Sequence, residues 1–257
     1  MNVLYMTNDN PNAVAGLRIP AERGGEIEAL VLSRKADQGD TLSDMMAEVT
    51  AELGVEVLTD AQAYERDLEG VDLVVSFLYP ALIREPLISA PGHGCINFHP
   101  APLPEYRGFA VYNFGILNGE DTWGVTAHYV DGTFDTGDLI ETLPFAIDPD
   151  TETPESLRRS SQAKLLELFD DIMGRLAQGV ALPRTPQGEG TTYHRRLIDQ
   201  HRFITAEDSA EVVHRKVRAF WCPPYDGAAI ELDGEEFTLV NREVLRQLAA
   251  AARERGG

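Results

Sequence analysis

The sequence predicts a doubly wound α/β domain with a mainly parallel sheet over residues 1–190, followed by a small C-terminal α+β module over residues 191–257. Short apolar runs alternate with helical patterns through the first half, which is typical of βαβ units. The run LVVSFLY is apolar throughout, as expected for a central strand covered on both faces. After residue 191 the pattern changes to a short helix and a hairpin, which favours a separate module.

The first half contains four predicted strands, NVLYM, IEALVLS, VEVL and VDLVVSFLY. A helix is predicted over TLSDMMAEVTAEL, where Asp40 or Thr41 can cap the start and Gly54 can end the helix. No G-x-G-x-x-G pattern follows the first strand, so the sheet is not expected to bind NAD. The face of this helix that packs on the sheet is predicted from residues at helical spacing, namely Leu42, Met45, Val49 and Leu53.

The second half continues with a helix in GFAVYNFGILNGED that ends at Gly119, a strand TWGVTAHYV, a loop DGTFDTGD and a strand LIETLPFAI. A long helix is predicted to start at Thr153 as N-cap with Pro154 in the first turn, and to reach Gly179. Residues 181–202 are expected to be a connector. A helix around AEDSAEVVHRKVRAF, a hairpin AAIELDGEEFTLVN and a helical tail EVLRQLAAAARERGG are predicted beyond it.

Composition excludes several function classes. The formal net charge of −20 disfavours a nucleic-acid partner, because binding a polyanion requires a basic surface. No run approaches the length of a membrane-spanning helix and the N-terminus does not resemble a signal peptide, so a cytoplasmic protein with no membrane partner is expected. Cys95 and Cys222 are expected to be free thiols.

The segment CINFHPAPLPEYRG is the first candidate for chemistry. Asn97 and His99 are two apart on a predicted strand, so their side chains share one face and lie about 7 Å apart. They also lie at the carboxyl end of the strand, where open α/β sheets bind ligands. Pro100, Pro102 and Pro104 fix the backbone that follows, which suits a preorganised site.

Metal and thiol chemistry do not fit this strand. His93, Cys95, Asn97 and His99 would spread over about 20 Å, too far to close a tetrahedral zinc shell. About 13 Å of strand separates Cys95 from His99, which excludes a nucleophile–base pair. No G-x-S-x-G elbow indicates a serine hydrolase, and no metal site is predicted.

The loop DGTFDTGDLIET resembles a calcium loop only in part. Asp131, Thr133 and Asp135 occupy its first, third and fifth places. Thr136 and Thr142 stand where such a loop needs glycine and glutamate, which argues against calcium. The loop remains able to bring a carboxylate against a histidine, where it is expected to raise the pKa of the imidazole.

Asn97, His99 and one aspartate of this loop would combine an amide donor, an imidazolium donor and a carboxylate. Such a set suits a tetrahedral intermediate formed by an incoming nucleophile, and acyl transfer to an amine fits best. The alternative is that Asn97 and His99 only satisfy the backbone of the proline-rich segment.

Four motifs occur in order along the chain, namely Asn97-Phe98-His99-Pro100, Leu103-Pro104-Glu105-Tyr106-Arg107-Gly108, Gly124-Val125-Thr126 and Asp135-Thr136-Gly137-Asp138. With these motifs the chain resembles the formyltransferases that use N10-formyltetrahydrofolate. The resemblance implies a Rossmann-like catalytic domain, and His214 to Ala219 with Gly227 resembles the segment that follows this domain in the same superfamily.

The resemblance implies roles for individual residues. Asn97, His99 and Asp135 match the three catalytic positions, with the first two stabilising the oxyanion and Asp135 holding His99 and assisting deprotonation of the amine. The folate is implied to lie against Tyr79, Leu82 and Ile83 and under a loop that contains Gly132 and Thr133. The acceptor is expected near Asn8, Asp9, Asn10, Pro104, Tyr106 and Arg107, although a turn-forming role is the alternative for the first three.

Within the superfamily, HPAPLPEYRG with a short C-terminal module most resembles the sugar N-formyltransferases. The predicted reaction transfers a formyl group from N10-formyltetrahydrofolate to the amine of a nucleotide-linked amino sugar, by direct attack and a tetrahedral intermediate. A methionyl-tRNA formyltransferase-like enzyme or an amino-acid N-formyltransferase is the alternative, and the acidity argues against tRNA. A folate or nucleotide-sugar sensor is the non-enzymatic alternative, and a homodimer is expected.

Overall fold

The computed structural model describes residues 1–33, 43–222, 226–242 and 244–246. The first half contains β1 (Asn2–Thr7), α1 (Pro11–Glu22), β2 (Glu26–Leu32), α2 (Asp44–Leu53), β3 (Val57–Leu58), α3 (Asp60–Glu65), β4 (Leu73–Phe77) and β5 (Cys95–His99). The second half contains β6 (Arg107–Gly108), α4 (Val111–Asn118), β7 (Thr122–Tyr129), β8 (Leu139–Ala146), α5 (Pro154–Ala177), β9 (Thr192–Tyr193), α6 (Arg195–His201), α7 (Ala210–Ala219), β10 (Ala229–Leu232) and β11 (Glu235–Thr238).

Seven strands form the central sheet in the order β3-β2-β1-β4-β5-β7-β8. The pairs from β3 through β5 are parallel, and β5 pairs with β7 in the antiparallel sense. The order reverses direction along the chain at β1, as βαβ units placed on both sides of a first strand require. The predicted mainly parallel, doubly wound α/β fold is therefore confirmed.

The sheet is buried on both faces by apolar side chains. On one face, Leu4, Met6 and Val74 belong to a cluster of fully buried residues. On the other face, Phe98 packs edge-on against Phe169 of α5, with ring centroids 4.7 Å apart. Because side chains alternate along a strand, anchoring Phe98 on this face directs Asn97 and His99 to the opposite one.

The helix α2 shows where the predicted buried face was wrong. Its structural N-cap is Ser43, whose hydroxyl accepts a hydrogen bond from the Met46 amide, and Gly54 ends it in a left-handed conformation as predicted. Val49 is buried as predicted, but Met46 is buried in place of Met45, which is 48% exposed, so the prediction was wrong at Met45. The proposed caps Asp40 and Thr41, and Leu42, lie outside the described residues.

The expected connector over residues 181–202 is only partly irregular. It contains β9 and the seven-residue helix α6, which the mixture of proline, glycine and basic residues did not indicate. The predicted short helix and hairpin are confirmed, with α7 capped by Ser209 and the β10–β11 hairpin turning at Asp233 and Gly234, both at positive φ. Most of the predicted C-terminal helix lies outside the described residues.

The chain divides into two compact units. The first comprises residues 1–107, 124–144 and 161–191, and the second comprises 108–123, 145–160 and the residues from 192 onward. A catalytic domain that ends near residue 190 stays a prediction, and two earlier segments group with the C-terminal residues. Over the described ranges, no helix has both the length and the apolar character needed to cross a membrane.

Candidate active site

A row of three polar side chains crosses the sheet in the first unit. Asn97 on β5 is aligned with Ser76 on β4 and with His128 on β7. Residues opposite one another in a sheet project from the same face, so the three side chains meet. Ser76 and His128 are each 2% exposed, and the row is therefore a buried polar network.

The hydrogen bonds of this row fix the orientation of the Asn97 amide. His128 Nδ1 lies 2.8 Å from the carbonyl oxygen of Tyr129, which can only accept, so the proton is on Nδ1 and Nε2 is an acceptor. Asn97 Nδ2 donates to His128 Nε2 at 2.9 Å, while Ser76 Oγ donates to Asn97 Oδ1 at 2.7 Å. The second amide proton of Asn97 is directed at Asp135 Oδ1, 3.3 Å away.

His99 is held by the proline-rich segment that follows it. Its Nε2 lies 2.7 Å from the carbonyl oxygen of Tyr106, so Nε2 carries a proton and donates it. The segment is in turn fixed to β7, because Thr126 Oγ1 accepts from the Leu103 amide at 3.1 Å and donates to Ala101 O at 2.9 Å. His99 Nδ1 is left facing Asp135 Oδ1 at 3.4 Å.

The protonation of His99 differs from the prediction. Burial lowers the pKa of His99, and the nearby His128 lowers it further, while the Asp135 carboxylate and the Tyr106 carbonyl raise it without restoring the ordinary value. The expectation of a raised pKa and an imidazolium was therefore wrong, because desolvation outweighs the carboxylate. Burial therefore favours the neutral ring, in which Nδ1 is the atom able to accept a proton.

Asp135 comes from the loop between β7 and β8. It adopts a left-handed conformation with φ 57°, which is uncommon for a residue with a side chain. The loop begins at Asp131, whose carboxylate accepts from the amide of Thr133 at 3.0 Å and from the hydroxyl of Thr136 at 2.9 Å. Burial acts to raise the pKa of Asp131, but these hydrogen bonds outweigh it and lower the pKa. At Gly137 a Cβ atom would lie 1.9 Å from Tyr129 O, so only glycine fits.

A cleft opens beside Asn97 and Asp135, with an empty volume of about 340 Å³ that includes solvent at its mouth. Four of the five predicted folate-binding residues line it, namely Tyr79, Leu82, Ile83 and Thr133. The fifth, Gly132, is in the adjoining loop with φ 87°. Phe134 also lines the cleft and is 42% exposed, so it offers an apolar surface to a flat ring. Their role in folate binding stays a prediction.

The predicted acceptor residues at the end of β1 have structural hydrogen bonds. Asn10 is the N-cap of α1 and accepts from the amides of Asn12 and Ala13, both at 3.0 Å, and its own amide donates to Asn8. Asp9 accepts from the amide and the hydroxyl of Ser43 at 2.7 and 2.6 Å. These contacts match the turn-forming alternative, and contact with an acceptor stays a prediction.

The other predicted acceptor residues lie on the segment after His99. Tyr106 is 4% exposed and contributes its carbonyl to His99. Arg107 directs its guanidinium at the side chain of Gln187, and Pro104 is half-buried. None of these three residues lines the cleft described above.

Two site residues, Ser76 and His128, were missed in the sequence. Each is a polar residue inside a predicted apolar strand, Ser76 in LVVSFLY and His128 in TWGVTAHYV. That interruption was the available signal, but only strand register could show that both side chains meet Asn97.

Cys95 is 2% exposed and burial raises the pKa of its thiol, so it is not a thiolate nucleophile.

Fold and site together are those of a group-transfer enzyme, in which the Asn97 amide and the Asp135 carboxylate line a cleft and the buried His99 imidazole lies beside that carboxylate. Residues 25–169 match the formyl transferase family. The chain is 32% identical over 229 residues to the methionyl-tRNA formyltransferase of Geobacter metallireducens, covering 85% of this chain and 72% of the relative. It is 30% identical over 244 residues to the methionyl-tRNA formyltransferase of Rhizorhabdus wittichii, covering 91% of this chain and 77% of the relative.

Two solved structures share the fold at lower identity. A 4-N formyltransferase from Francisella tularensis has a TM-score of 0.75 at 21% identity, covering 93% of this chain and 96% of its own. The N-formyltransferase from Helicobacter canadensis, in complex with folinic acid and dTDP-3-aminofucose, has a TM-score of 0.70 at 19% identity, covering 91% and 85%. The chain belongs to the formyltransferase family, and the predicted family and enzyme class are confirmed.

Proposed function

We propose that this enzyme transfers the formyl group of N10-formyltetrahydrofolate to the amine of a nucleotide-linked amino sugar. The observation that carries the proposal is the convergence of Asn97, His99 and Asp135, since Asp135 Oδ1 lies 3.3 Å from Asn97 Nδ2 and 3.4 Å from His99 Nδ1. The donor supplies an activated formyl carbon. The chain itself supplies hydrogen-bond donors, a proton acceptor and a negative charge.

The lining of the cleft suits the heterocyclic part of the donor in character. Apolar side chains of Leu82, Ile83 and Phe134 line it together with the polar groups of Asn97 and Asp135, a combination typical of small-molecule sites. Residues 79–83 belong to no helix or strand, so their peptide groups lie outside any ladder, and we expect some of them to hydrogen-bond the heterocycle of the donor.

Asn97 acts as the fixed hydrogen-bond donor in this mechanism. Ser76 occupies Asn97 Oδ1, so Nδ2 has to face the cleft side of the network, where it can donate to a formyl oxygen as negative charge develops. The Nδ2 contact with Asp135 is long at 3.3 Å, and exchanging it for a contact with the reacting oxygen costs little.

His99 acts as the proton acceptor. Its Nε2–H is committed to Tyr106, and its neutral Nδ1 can accept the proton that the attacking amine must lose. Asp135 beside Nδ1 then stabilises the imidazolium that forms. The neutral ground state replaces the imidazolium donor that the sequence indicated. Once the ring has gained this proton, it donates the proton to N10 of the donor as the C–N10 bond breaks and tetrahydrofolate leaves.

An amino sugar is favoured over tRNA as the acceptor by charge. The formal net charge of −20 opposes a long polyanion, whereas a nucleotide diphosphate needs only a few local contacts. The Helicobacter canadensis neighbour is described with a dTDP-linked amino sugar, which supports the same class. The two relatives described above are named for formyl transfer to methionyl-tRNA, so tRNA is the competing acceptor.

A homodimer in the cytoplasm is part of the proposal, and light scattering of the purified protein tests the dimer.

The test is tetrahydrofolate release, followed spectroscopically with purified protein and N10-formyltetrahydrofolate. Nucleotide-linked amino sugars, amino acids and methionyl initiator tRNA are supplied in turn, with the non-aminated sugar nucleotide as the matched control. We expect release only with an amino sugar. Tetrahydrofolate release only with tRNA would overturn the proposed amino-sugar acceptor. Tight folate binding without tetrahydrofolate release for any acceptor would favour a sensor.

A further inference from the structure

A second polar cluster lies behind the Asp135 loop and is centred on Gln187, a residue that the sequence did not single out. Gln187 Nε2 donates to two backbone carbonyl oxygens, that of Asp135 at 3.0 Å and that of Gly137 at 2.7 Å. Its Oε1 accepts from Arg107 Nε at 3.0 Å and from Arg107 Nη2 at 2.8 Å. Both amide protons and the amide oxygen of Gln187 are thus engaged.

The orientation of this amide is unambiguous. A flipped amide would place its oxygen against two carbonyl oxygens and its protons against a guanidinium, which also only donates. Arg107 Nη2 donates in addition to Gly188 O at 3.0 Å, so the guanidinium is tied to the backbone next to Gln187. The pair therefore behaves as one fixed unit.

The two carbonyls that Gln187 binds belong to the Asp135–Thr136 and Gly137–Asp138 peptide groups, so Gln187 holds the backbone directly after Asp135 at two points. Asp135 has a left-handed backbone that a non-glycine residue keeps only when its surroundings hold it. Its side chain must also stay within reach of His99 and Asn97. A shift of the two carbonyls would move the carboxylate away from both.

We propose that Gln187, held by Arg107, is a positioning residue that fixes the Asp135 carboxylate through the backbone of its loop. Gln187 touches no reacting atom in this account and acts only through Asp135. Arg107 thereby has a task within the enzyme, and the acceptor contact predicted for it from the sequence stays a prediction. The inference rests on the proposed function for its kinetic part and on geometry alone for its structural part.

The structural part is measured by NMR titration of His99, assigned by comparison with His99→Gln. Three groups face this ring, namely Asp135 from the loop, His128 from β7 and the carbonyl of Tyr106. If Asp135 moves away in Gln187→Met, His99 loses the group that raises its pKa, and the pKa falls further. This readout needs no substrate.

The kinetic part compares kcat and KM of formyl transfer for the same variants. Gln187→Met keeps the size of the side chain but removes both donors and the acceptor for Arg107. Misplacement of Asp135 by about 1 Å is expected to lower kcat roughly 10- to 100-fold with little change in KM. Gln187→Glu keeps the acceptor for Arg107 but loses the donors, and the same loss is expected. The matched control is Gln178→Met, an exposed glutamine on the same unit.

The outcomes separate this inference from the proposed function. A wild-type protein without formyl transfer would defeat the proposed function, while the His99 titration would still test Gln187. Wild-type kcat in Gln187→Met, or a loss of kcat with the His99 pKa unmoved, would overturn the inference. If Gln187→Met does not fold, judged by its thermal transition, Gln187→Glu carries the test. Wild-type behaviour of the Glu variant would assign the effect to Arg107 and overturn the inference.

Discussion

The strand that carries Asn97 and His99 and the loop that carries Asp135 reach the same site by different means. On β5 the ladder fixes both side chains, with Phe98 anchored on the opposite face against Phe169. In the loop, Asp135 has a left-handed backbone and is held by side-chain hydrogen bonds. The strand supplies groups whose direction follows from register, whereas the loop supplies a group whose position depends on neighbours far apart in sequence.

The largest loss of kcat is expected for a substitution on the strand β5. His99→Ala removes the proton acceptor and the group that Asp135 serves, and kcat should fall roughly 10³-fold, within the range for general acid–base groups. Tetrahydrofolate release at pH 7 measures it. His93→Ala, which removes an exposed histidine six residues earlier, is the matched control. A His99→Ala enzyme with near wild-type turnover would contradict the role given to the imidazole.

The next effect is expected at the loop. Asp135→Asn keeps the shape of the side chain but removes its charge, so the imidazolium that forms during the reaction loses its stabilising partner. We expect kcat to fall roughly 10²-fold and the pKa of His99 to fall as well. The control is Asp150→Asn, an exposed aspartate of the second unit. A pKa of His99 that rises in Asp135→Asn would show that the two groups do not interact as described.

A smaller loss of kcat is expected when the hydrogen bond from Ser76 to Asn97 is removed. Ser76→Ala removes the hydroxyl that fixes the amide orientation, a loss of about 1 kcal/mol that corresponds to a roughly 5-fold lower kcat. The matched control is Ser161→Ala, because Ser161 is fully buried and its hydroxyl has no hydrogen-bond partner in the part of the chain that the structure describes. Equal kcat for the two variants would show that the Ser76 hydroxyl has no role in the active site.

The smallest effect is expected at the start of the loop. Thr136→Val removes one of the donors to Asp131 but leaves the Thr133 amide in place. Loosening one end of the loop should lower kcat by about 2-fold, since a single exposed hydrogen bond is lost. Thr122→Val, which removes an exposed threonine hydroxyl that donates to Asp121, serves as the control. A drop as large as that of Asp135→Asn would mean that Asp131 itself belongs to the site.

The contrast between the strand and the loop also explains how much of the fold and of the site could be predicted from the sequence. Periodicity and strand ends were enough for the sheet, for Asn97 and His99, and for the hairpin at Asp233 and Gly234, because these follow from local pattern. Met45 was placed on the wrong face because two methionines in succession give no sign of which one is buried.

The rest depends on distances that a sequence does not contain. Ser76 and His128 join Asn97 only through register across three strands. The lowered pKa of His99 depends on burial, which outweighs the carboxylate that the sequence placed beside it. Gln187 lies 52 residues from Asp135, with α5 between them, so no spacing argument could pair them.

The mechanism requires that His99 is neutral at physiological pH, with its proton on Nε2 and its Nδ1 facing Asp135. NMR titration of the wild-type protein with labelled histidine tests it directly, since nitrogen chemical shifts distinguish the two tautomers and the titration gives the pKa. We predict the Nε2-protonated tautomer with a pKa below the ordinary histidine value of about 6.5. A His99 that titrates above that value, or that carries its proton on Nδ1, would contradict the mechanism.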